Sequence, residues 1–169
     1  MVVNMELFSV VLMVATLLCA LVAGLVLAFA VVVMPGIGSL GDREFLRAFQ
    51  AMDDMIQDRQ PVFMVVWVGS IVAVLGGVWL GVCSLDGWDR ILLLCATALY
   101  LLTVQLPTMA INIPLNNDVQ TLDVDRMSEG KLRSARDTFE GKWNRWNRIR
   151  TVTSCVTTGI LILILQRYQ

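Results

Sequence analysis

The chain has 169 residues, of which 57% are hydrophobic and 16% are charged, and its formal net charge is -1. This composition leaves too little polar surface to cover a water-soluble globule of this size, and it indicates a membrane protein. The balanced charge gives no reason to expect a nucleic-acid partner or a polybasic lipid-binding segment.

The first hydrophobic segment, residues 7–34, contains no charged residue. It is longer than the roughly 18 apolar residues that indicate a membrane span. A cleaved signal peptide is the alternative, but Asn4 and Glu6 do not form a basic leader and the apolar run is too long. Three further spans follow at about residues 61–82, 91–111 and 149–165. We therefore predict a single all-α integral membrane domain, residues 1–169, built as a four-helix transmembrane bundle.

The loop after the first span contains a short amphipathic pattern. Four apolar residues recur at helical spacing, namely Phe45, Phe49, Met52 and Ile56. Gly41 and Asp42 precede them as a plausible helix start. The pattern predicts an interfacial helix at about residues 42–57 that lies on the membrane surface and covers one end of the bundle.

Small residues form a stripe along the second span. They follow one another at four-residue spacing and are Gly69, Ala73, Gly77 and Gly81; the first span has Ala20, Gly24 and Ala28 in the same register. Helices in lipid approach closely where side chains are small. The stripe predicts packing between these two spans, and the alternative is a homo-oligomer formed through the second-span stripe.

The third span combines two prolines with a polar face. Pro107 and Pro114 each remove a backbone donor, so they predict breaks in the helix that must be covered by protein or water. Polar residues lie around these positions at helical spacing, namely Gln105, Thr108, Asn112 and Asn116. We expect a polar face near the cytoplasmic end of this span.

The fourth span has a matching polar stripe. Its members are Asn144, Asn147, Thr151, Ser154 and Thr158, and an adjoining stripe contains Phe139, Trp143, Trp146 and Arg150. The spacing predicts one long helix that starts near Ser134 and enters the bilayer near Arg150. Taken singly, the tryptophans could be interfacial anchors, the arginine could help to fix the membrane orientation, and the hydroxyl groups could bond to their own helix. Together the two polar faces favour a pocket between spans three and four.

The basic residues predict the orientation of the chain. Eleven of the thirteen lie in loops one and three, including Arg59, and the other two are Arg90 and Arg167. The positive-inside rule places these loops in the cytoplasm and both termini outside, in a plasma or inner membrane.

Cofactor chemistry has few candidate ligands in this sequence. Histidine is absent, which excludes haem, di-iron, copper and zinc centres that require histidine ligands. The four cysteines, Cys19, Cys83, Cys95 and Cys155, show no paired spacing and are expected to be apolar packing residues. We expect no metal and no other cofactor.

Two motifs make the chain similar to a known family. The sequence NIPLN at residues 112–116 and the sequence WNRWNRIRT at residues 143–151 resemble the anthrone oxygenase-like family of small four-helix membrane proteins, largely classed as a domain of unknown function. Pro35 and the loop-one helix with Phe49 and Gln50 fit the same pattern. Arg148 stands where many members of that family have a histidine, and this removes a candidate base.

The resemblance implies an oxidoreductase that oxidises a lipophilic aromatic substrate, an anthrone, with molecular oxygen and without a metal or haem. On this hypothesis Glu140 is the base and Asn112, Asn147 and Arg150 stabilise the oxyanion that forms. Substrate contacts are then assigned to Gln105, Asn116, Trp143, Trp146 and Thr151. Two other functions remain open, a non-catalytic structural or partner-binding subunit and a binder of a lipophilic molecule such as a quinone.

Overall fold

The structure is a computed structural model that describes residues 2–57 and 60–168, with side chains from residue 5 onward except that of Cys83; Arg59 lies outside these residues. The described residues form five helices and no strand. Helix α1 spans residues 2–38, α2 spans Asp42–Gln57, α3 spans Pro61–Ser84, α4 spans Gly87–Gln120 and α5 spans Glu129–Leu165.

Four of these helices, α1, α3, α4 and α5, are long and apolar enough to cross a membrane. Their outward faces present large apolar side chains such as Val32, Val65 and Leu102. An apolar surface of this extent is expected against lipid and not against water. The predicted all-α, four-span integral membrane protein is confirmed.

Three prolines lie inside helices that remain continuous. A π-helical turn ends two residues before each of them: Phe29–Val33 before Pro35, Leu101–Gln105 before Pro107, and Thr108–Asn112 before Pro114. The residue preceding each proline donates its N–H five residues back instead of four, which widens the helix where the proline ring would clash. The predicted breaks at Pro107 and Pro114 are therefore wrong, because π-helical turns absorb both prolines.

Helix α2 has the bounds predicted from its amphipathic pattern, Asp42–Gln57. It buries Phe45 and Phe49 against α5, and the Phe49 ring lies 4.5 Å from the ring of Phe139. Gln50 donates to the carbonyls of Val119 and Leu122 at 2.8 and 3.0 Å. These contacts fix α2 across one end of the bundle.

The connection between α4 and α5 is held from α2 as well. Arg43 donates to the carbonyls of Asp125 and Met127 at 3.2 and 2.8 Å. Arg47 donates to Asp125 at 2.9 Å, and this hydrogen bond lowers the pKa of the Asp125 carboxyl. Helix α5 begins at Glu129 and not near Ser134, so its membrane-external part is longer than predicted.

The opposite end of the bundle contains the start of α1 and the end of α5. Tyr168 donates to Asp89, just after the α3–α4 turn, at 2.9 Å, and Ser9 donates to the Tyr168 carbonyl at 3.4 Å. The start of α1, the α3–α4 turn and the end of α5 therefore lie at the same end. Which side of the membrane this end faces stays a prediction.

The small-residue stripe of α3 is used within the chain. Ala73, Gly77 and Gly81 are buried, and α1 and α3 form an extensive interface. A side chain at Gly69 would meet Leu18 of α1 at 3.3 Å. The predicted packing between the first two spans is therefore confirmed, but the α1 stripe Ala20, Gly24 and Ala28 is exposed and takes no part in it. The α3 stripe instead receives large α1 side chains. The homo-oligomer alternative stays a prediction.

Gly81 provides a direct test of this packing. A Cβ atom at Gly81 would lie 2.5 Å from Leu93 Cδ2 and 2.9 Å from Phe8 Cε2, whereas one at Gly77 meets nothing within 4 Å. We expect Gly81→Ala to lower the stability by about 1–3 kcal/mol, because the core must shift to admit the methyl group. Gly77→Ala is the control and should leave thermal unfolding in detergent unchanged. Equal melting temperatures for the two variants would contradict the packing.

Candidate functional site

A cavity of about 510 Å³ lies beneath α2, at the end of the bundle away from the termini. All five helices contribute to its wall. Contacts between α3 and α4 are concentrated in the first half of α4, Gly87–Tyr100, where Ser70 and Tyr100 form a hydrogen bond of 2.6 Å. Beyond Tyr100 the π-helical turns begin and the cavity occupies the space between these helices. Its volume suits a small polycyclic ligand.

Arg150 brings a positive charge to the wall of this cavity. It is 4% exposed, and it donates to Thr108 Oγ1 and to Asn147 Oδ1, both at 2.9 Å. Asn147 is held in turn by donating to the Val26 carbonyl at 3.0 Å. Among the described residues no carboxylate lies within ion-pair distance of Arg150, and its Nε has no hydrogen-bond partner. A buried guanidinium with neutral partners is costly unless an anion joins it.

Two amides on α4 line the same cavity without partners. The Nδ2 and Oδ1 atoms of Asn112, and the Nε2 and Oε1 atoms of Gln105, are buried and make no hydrogen bond within the described part of the chain. Both side chains are 2% exposed. Because buried amides are normally paired, four unpaired atoms beside a cavity indicate a site for a ligand with its own donors and acceptors.

A second polar group lies at the α2 end of the cavity. Asp53 is buried and accepts hydrogen bonds from Asn116 at 2.7 Å, Gln57 at 2.6 Å and Gln120 at 3.1 Å. The side-chain Oδ1 of Asn116 accepts from Trp143 Nε1 at 2.8 Å. The network therefore joins α2 and α4 and orients the indole of Trp143 on α5.

Aromatic rings form much of the apolar wall. The Trp143 ring lies 5.7 Å from the rings of both Phe29 and Phe49, and Phe63 stacks on Trp67 with 5.4 Å between ring centroids. The guanidinium of Arg150 lies 5.7 Å from the centre of the Trp143 ring. Aromatic side chains offer flat, apolar contact surfaces for a conjugated ring system. The cavity thus combines a flat apolar wall with a row of hydrogen-bonding groups.

Six of the nine residues proposed from the sequence line this one cavity, and they are Gln105, Asn112, Asn116, Trp143, Asn147 and Arg150. Three do not. Glu140 accepts from Arg136 at 2.7 Å, which raises the pKa of that guanidinium. Trp146 is partly exposed outside the lining, and Thr151 donates to the Asn147 carbonyl at 2.8 Å. Glu140 is thus placed away from the cavity, because it faces Arg136 one turn earlier.

Sequence reasoning missed the contribution of α2 and α3. Asp53 follows Phe49 by one helical turn, so it lies on the apolar face of α2. A carboxylate on an apolar helix face is unusual, and this position could have indicated a buried polar site. Phe63 and Trp67 carried no such signal because aromatic residues in a span are ordinary.

Comparison with known proteins identifies a family. The family model for anthrone oxygenase matches residues 62–160, which is more than half of the chain. No curated protein and no solved structure matches the chain. The matched segment contains α3, α4 and most of α5, and with them Arg150, Gln105 and Asn112. The chain therefore belongs to the anthrone oxygenase family.

Proposed function

We propose that this protein oxidises a lipophilic anthrone-type substrate with molecular oxygen inside the cavity beneath α2. The observation that carries the proposal is Arg150, a buried guanidinium that faces a cavity and that, among the described residues, has only neutral partners and no partner for Nε. Family membership supports the reaction class, and the aromatic wall supports a planar substrate.

The reaction requires stabilisation of an enolate. Loss of a proton from the carbon between the rings of an anthrone places negative charge on the carbonyl oxygen. Arg150 provides a fixed positive charge for that oxygen, and this lowers the free energy of the enolate in a site shielded from water. The unpaired amides of Gln105 and Asn112 supply donors and acceptors for further oxygen substituents.

The enolate carbon then transfers an electron to molecular oxygen, and the two radicals combine to form a carbon–oxygen bond as a peroxide. Loss of water from the protonated peroxide gives the second carbonyl of an anthraquinone, so one anthrone and one dioxygen yield one quinone and one water. Both oxygens of Asp53 already accept hydrogen bonds. We therefore assign Asp53 a structural role, and the substrate proton passes to solvent at the α2 end of the cavity, where the lining residues Gln57 and Asn117 are exposed.

The proposal is tested with the full chain in phosphatidylcholine vesicles supplied with an anthrone. We expect oxygen uptake and quinone absorbance to rise in equal amounts, faster than in empty vesicles. A folded protein that gives only the uncatalysed rate would overturn the oxygenase function. If the same protein binds anthraquinone, the quinone-binding function replaces it.

Asn112→Leu separates a ligand-binding role from a structural one. The Asn112 side chain makes no hydrogen bond within the described residues, so replacement by an apolar side chain of similar size removes no internal hydrogen bond. We expect an unchanged or higher melting temperature together with a loss of roughly 10–100-fold in kcat/KM. Asn147→Leu is the comparison variant, because it removes the hydrogen bonds to Val26 and Arg150 and should also lower stability. A fully active Asn112→Leu variant would contradict the role.

A further inference from the structure

The cavity also has an opening on the side of the bundle. Residues that line an internal cavity and are also exposed mark the place where it reaches the surface. Six residues have both properties: Gln57 and Asn117 lie at the α2 end, and the other four are apolar residues on the side of the bundle, Met64 and Val68 on α3 and Met109 and Ile113 on α4. Met64 is 42% exposed and Met109 is 56% exposed. Each apolar pair is spaced by four residues, so each forms a row along its helix.

These two rows face the bilayer. They belong to spanning helices and consist entirely of apolar side chains, whereas the wall behind them contains Gln105, Asn112 and Arg150. Helices α3 and α4 pack together at Gly87–Tyr100 and have few contacts beyond it. The π-helical turns Leu101–Gln105 and Thr108–Asn112 lie in the part of α4 that separates from α3.

We propose that the gap between α3 and residues 101–120 of α4 is a lateral portal through which the cavity takes its ligand from the lipid phase. A lipophilic molecule concentrates in the bilayer, and a side opening lets it reach the polar groups without crossing water. The portal concerns access to the cavity and does not depend on the reaction proposed above.

The other route to the cavity is the polar end beneath α2. Gln57 and Asn117 are both exposed and line the cavity there, and Gln57 donates to Asn117 at 3.2 Å and to Asp53 at 2.6 Å. The bond to Asn117 joins α2 to α4 at this end, and the bond to Asp53, within α2, holds the Gln57 side chain in place. The side opening, bordered by flexible methionines, carries no such bonds among the described residues.

Trp143 can report on the portal because it is buried and lines the cavity. In a variant whose other tryptophans are replaced by phenylalanine, its fluorescence is measured in vesicles of phosphatidylcholine brominated on the acyl chain. We expect bromine to quench Trp143 in this single-tryptophan variant. The quenching should disappear when Val68→Phe and Met109→Phe are added, because the two phenylalanine side chains fill the gap between α3 and α4. Aqueous iodide should quench the Trp143 fluorescence weakly both with and without these two substitutions.

Val72→Phe with Leu102→Phe is the matched control. Both residues are exposed on the same two helices and neither lines the cavity. These substitutions should leave the quenching unchanged. Equal quenching in the portal and control variants, or stronger quenching by iodide than by bromine, would overturn the portal.

A second measurement uses the natural tryptophans, in case the single-tryptophan variant fails to fold. Anthraquinone is mixed from donor vesicles, and the portal substitutions should slow its association about tenfold relative to the controls. An association rate of anthraquinone that the portal substitutions leave unchanged contradicts the portal. The portal is also contradicted if anthraquinone does not bind and bromine quenching is equal in the portal and control variants. Bromine quenching that responds to the portal substitutions without quinone formation supports the portal and contradicts only the oxygenase function.

Discussion

Replacing Arg150 by methionine is expected to lower quinone formation by roughly 100–1,000-fold, the effect of removing a principal oxyanion donor. Methionine keeps much of the side-chain volume and removes the charge. The substrate would then have to ionise in a shielded cavity without a cation beside its oxygen. The effect should fall on kcat, because the charge of the substrate develops during the reaction.

The stability of Arg150→Met should change in the opposite direction. The native guanidinium is buried beside Thr108 and Asn147, which are neutral, and has no carboxylate partner in the described part of the chain. Removing such a charge relieves a desolvation cost, so we expect an equal or higher melting temperature in detergent. Loss of activity with retained stability is the signature of a site kept for function at the expense of stability.

Two further variants serve as comparisons for Arg150→Met. Arg148→Met removes an exposed arginine from the same helix and should preserve activity. Arg150→Lys keeps the charge and loses the planar fork, so it should recover part of the rate. An Arg150→Met variant that retains the full rate would contradict the oxyanion role, and one that unfolds while Arg150→Lys is stable would assign Arg150 a structural role.

The sequence allowed the spans and α2 to be predicted because both depend on local patterns. An uncharged run of residues 7–34 can be stable only in lipid, and the period of Phe45, Phe49 and Ile56 is helical. The packing of the first two spans was predicted correctly, but the α1 residues that meet the α3 stripe were not, because close packing depends on the side chains of the opposing helix. Gly81 is covered by Phe8 and Leu93, neither of which belongs to a small-residue motif.

The candidate site was predicted where polarity is unusual for a membrane helix, as at Asn112, Asn147 and Arg150. The spacing of these residues determines the face of the helix, and the facing polar stripes indicate a shared cavity. Glu140 does not line the cavity, because Arg136 competes for its carboxylate, and its role as the base stays a prediction. Arg136 lies one turn away and also donates to the carbonyl of Gly38 at 2.7 Å, which holds this part of α5 against the end of α1.

Asp53→Asn is expected to lower the free energy of unfolding by about 2–3 kcal/mol, because a buried charged acceptor with several donors is lost. The carboxylate accepts from Asn116, Gln57 and Gln120, all of which offer amide N–H groups. Asparagine keeps one acceptor oxygen, and its own NH₂ group must face those donors. The measurement is thermal unfolding in detergent, with limited proteolysis of α2 as a local readout.

Asp54→Asn is the matched control, because Asp54 is the adjacent residue and is exposed. A surface substitution of this kind should change stability by no more than about 0.5 kcal/mol. If both variants melt at the same temperature, the Asp53 network contributes nothing to the fold. Faster proteolysis of α2 in Asp53→Asn would show that this carboxylate holds the helix over the cavity. Since Asn116 also orients Trp143, loosening α2 should then weaken quinone binding even though Arg150 is untouched.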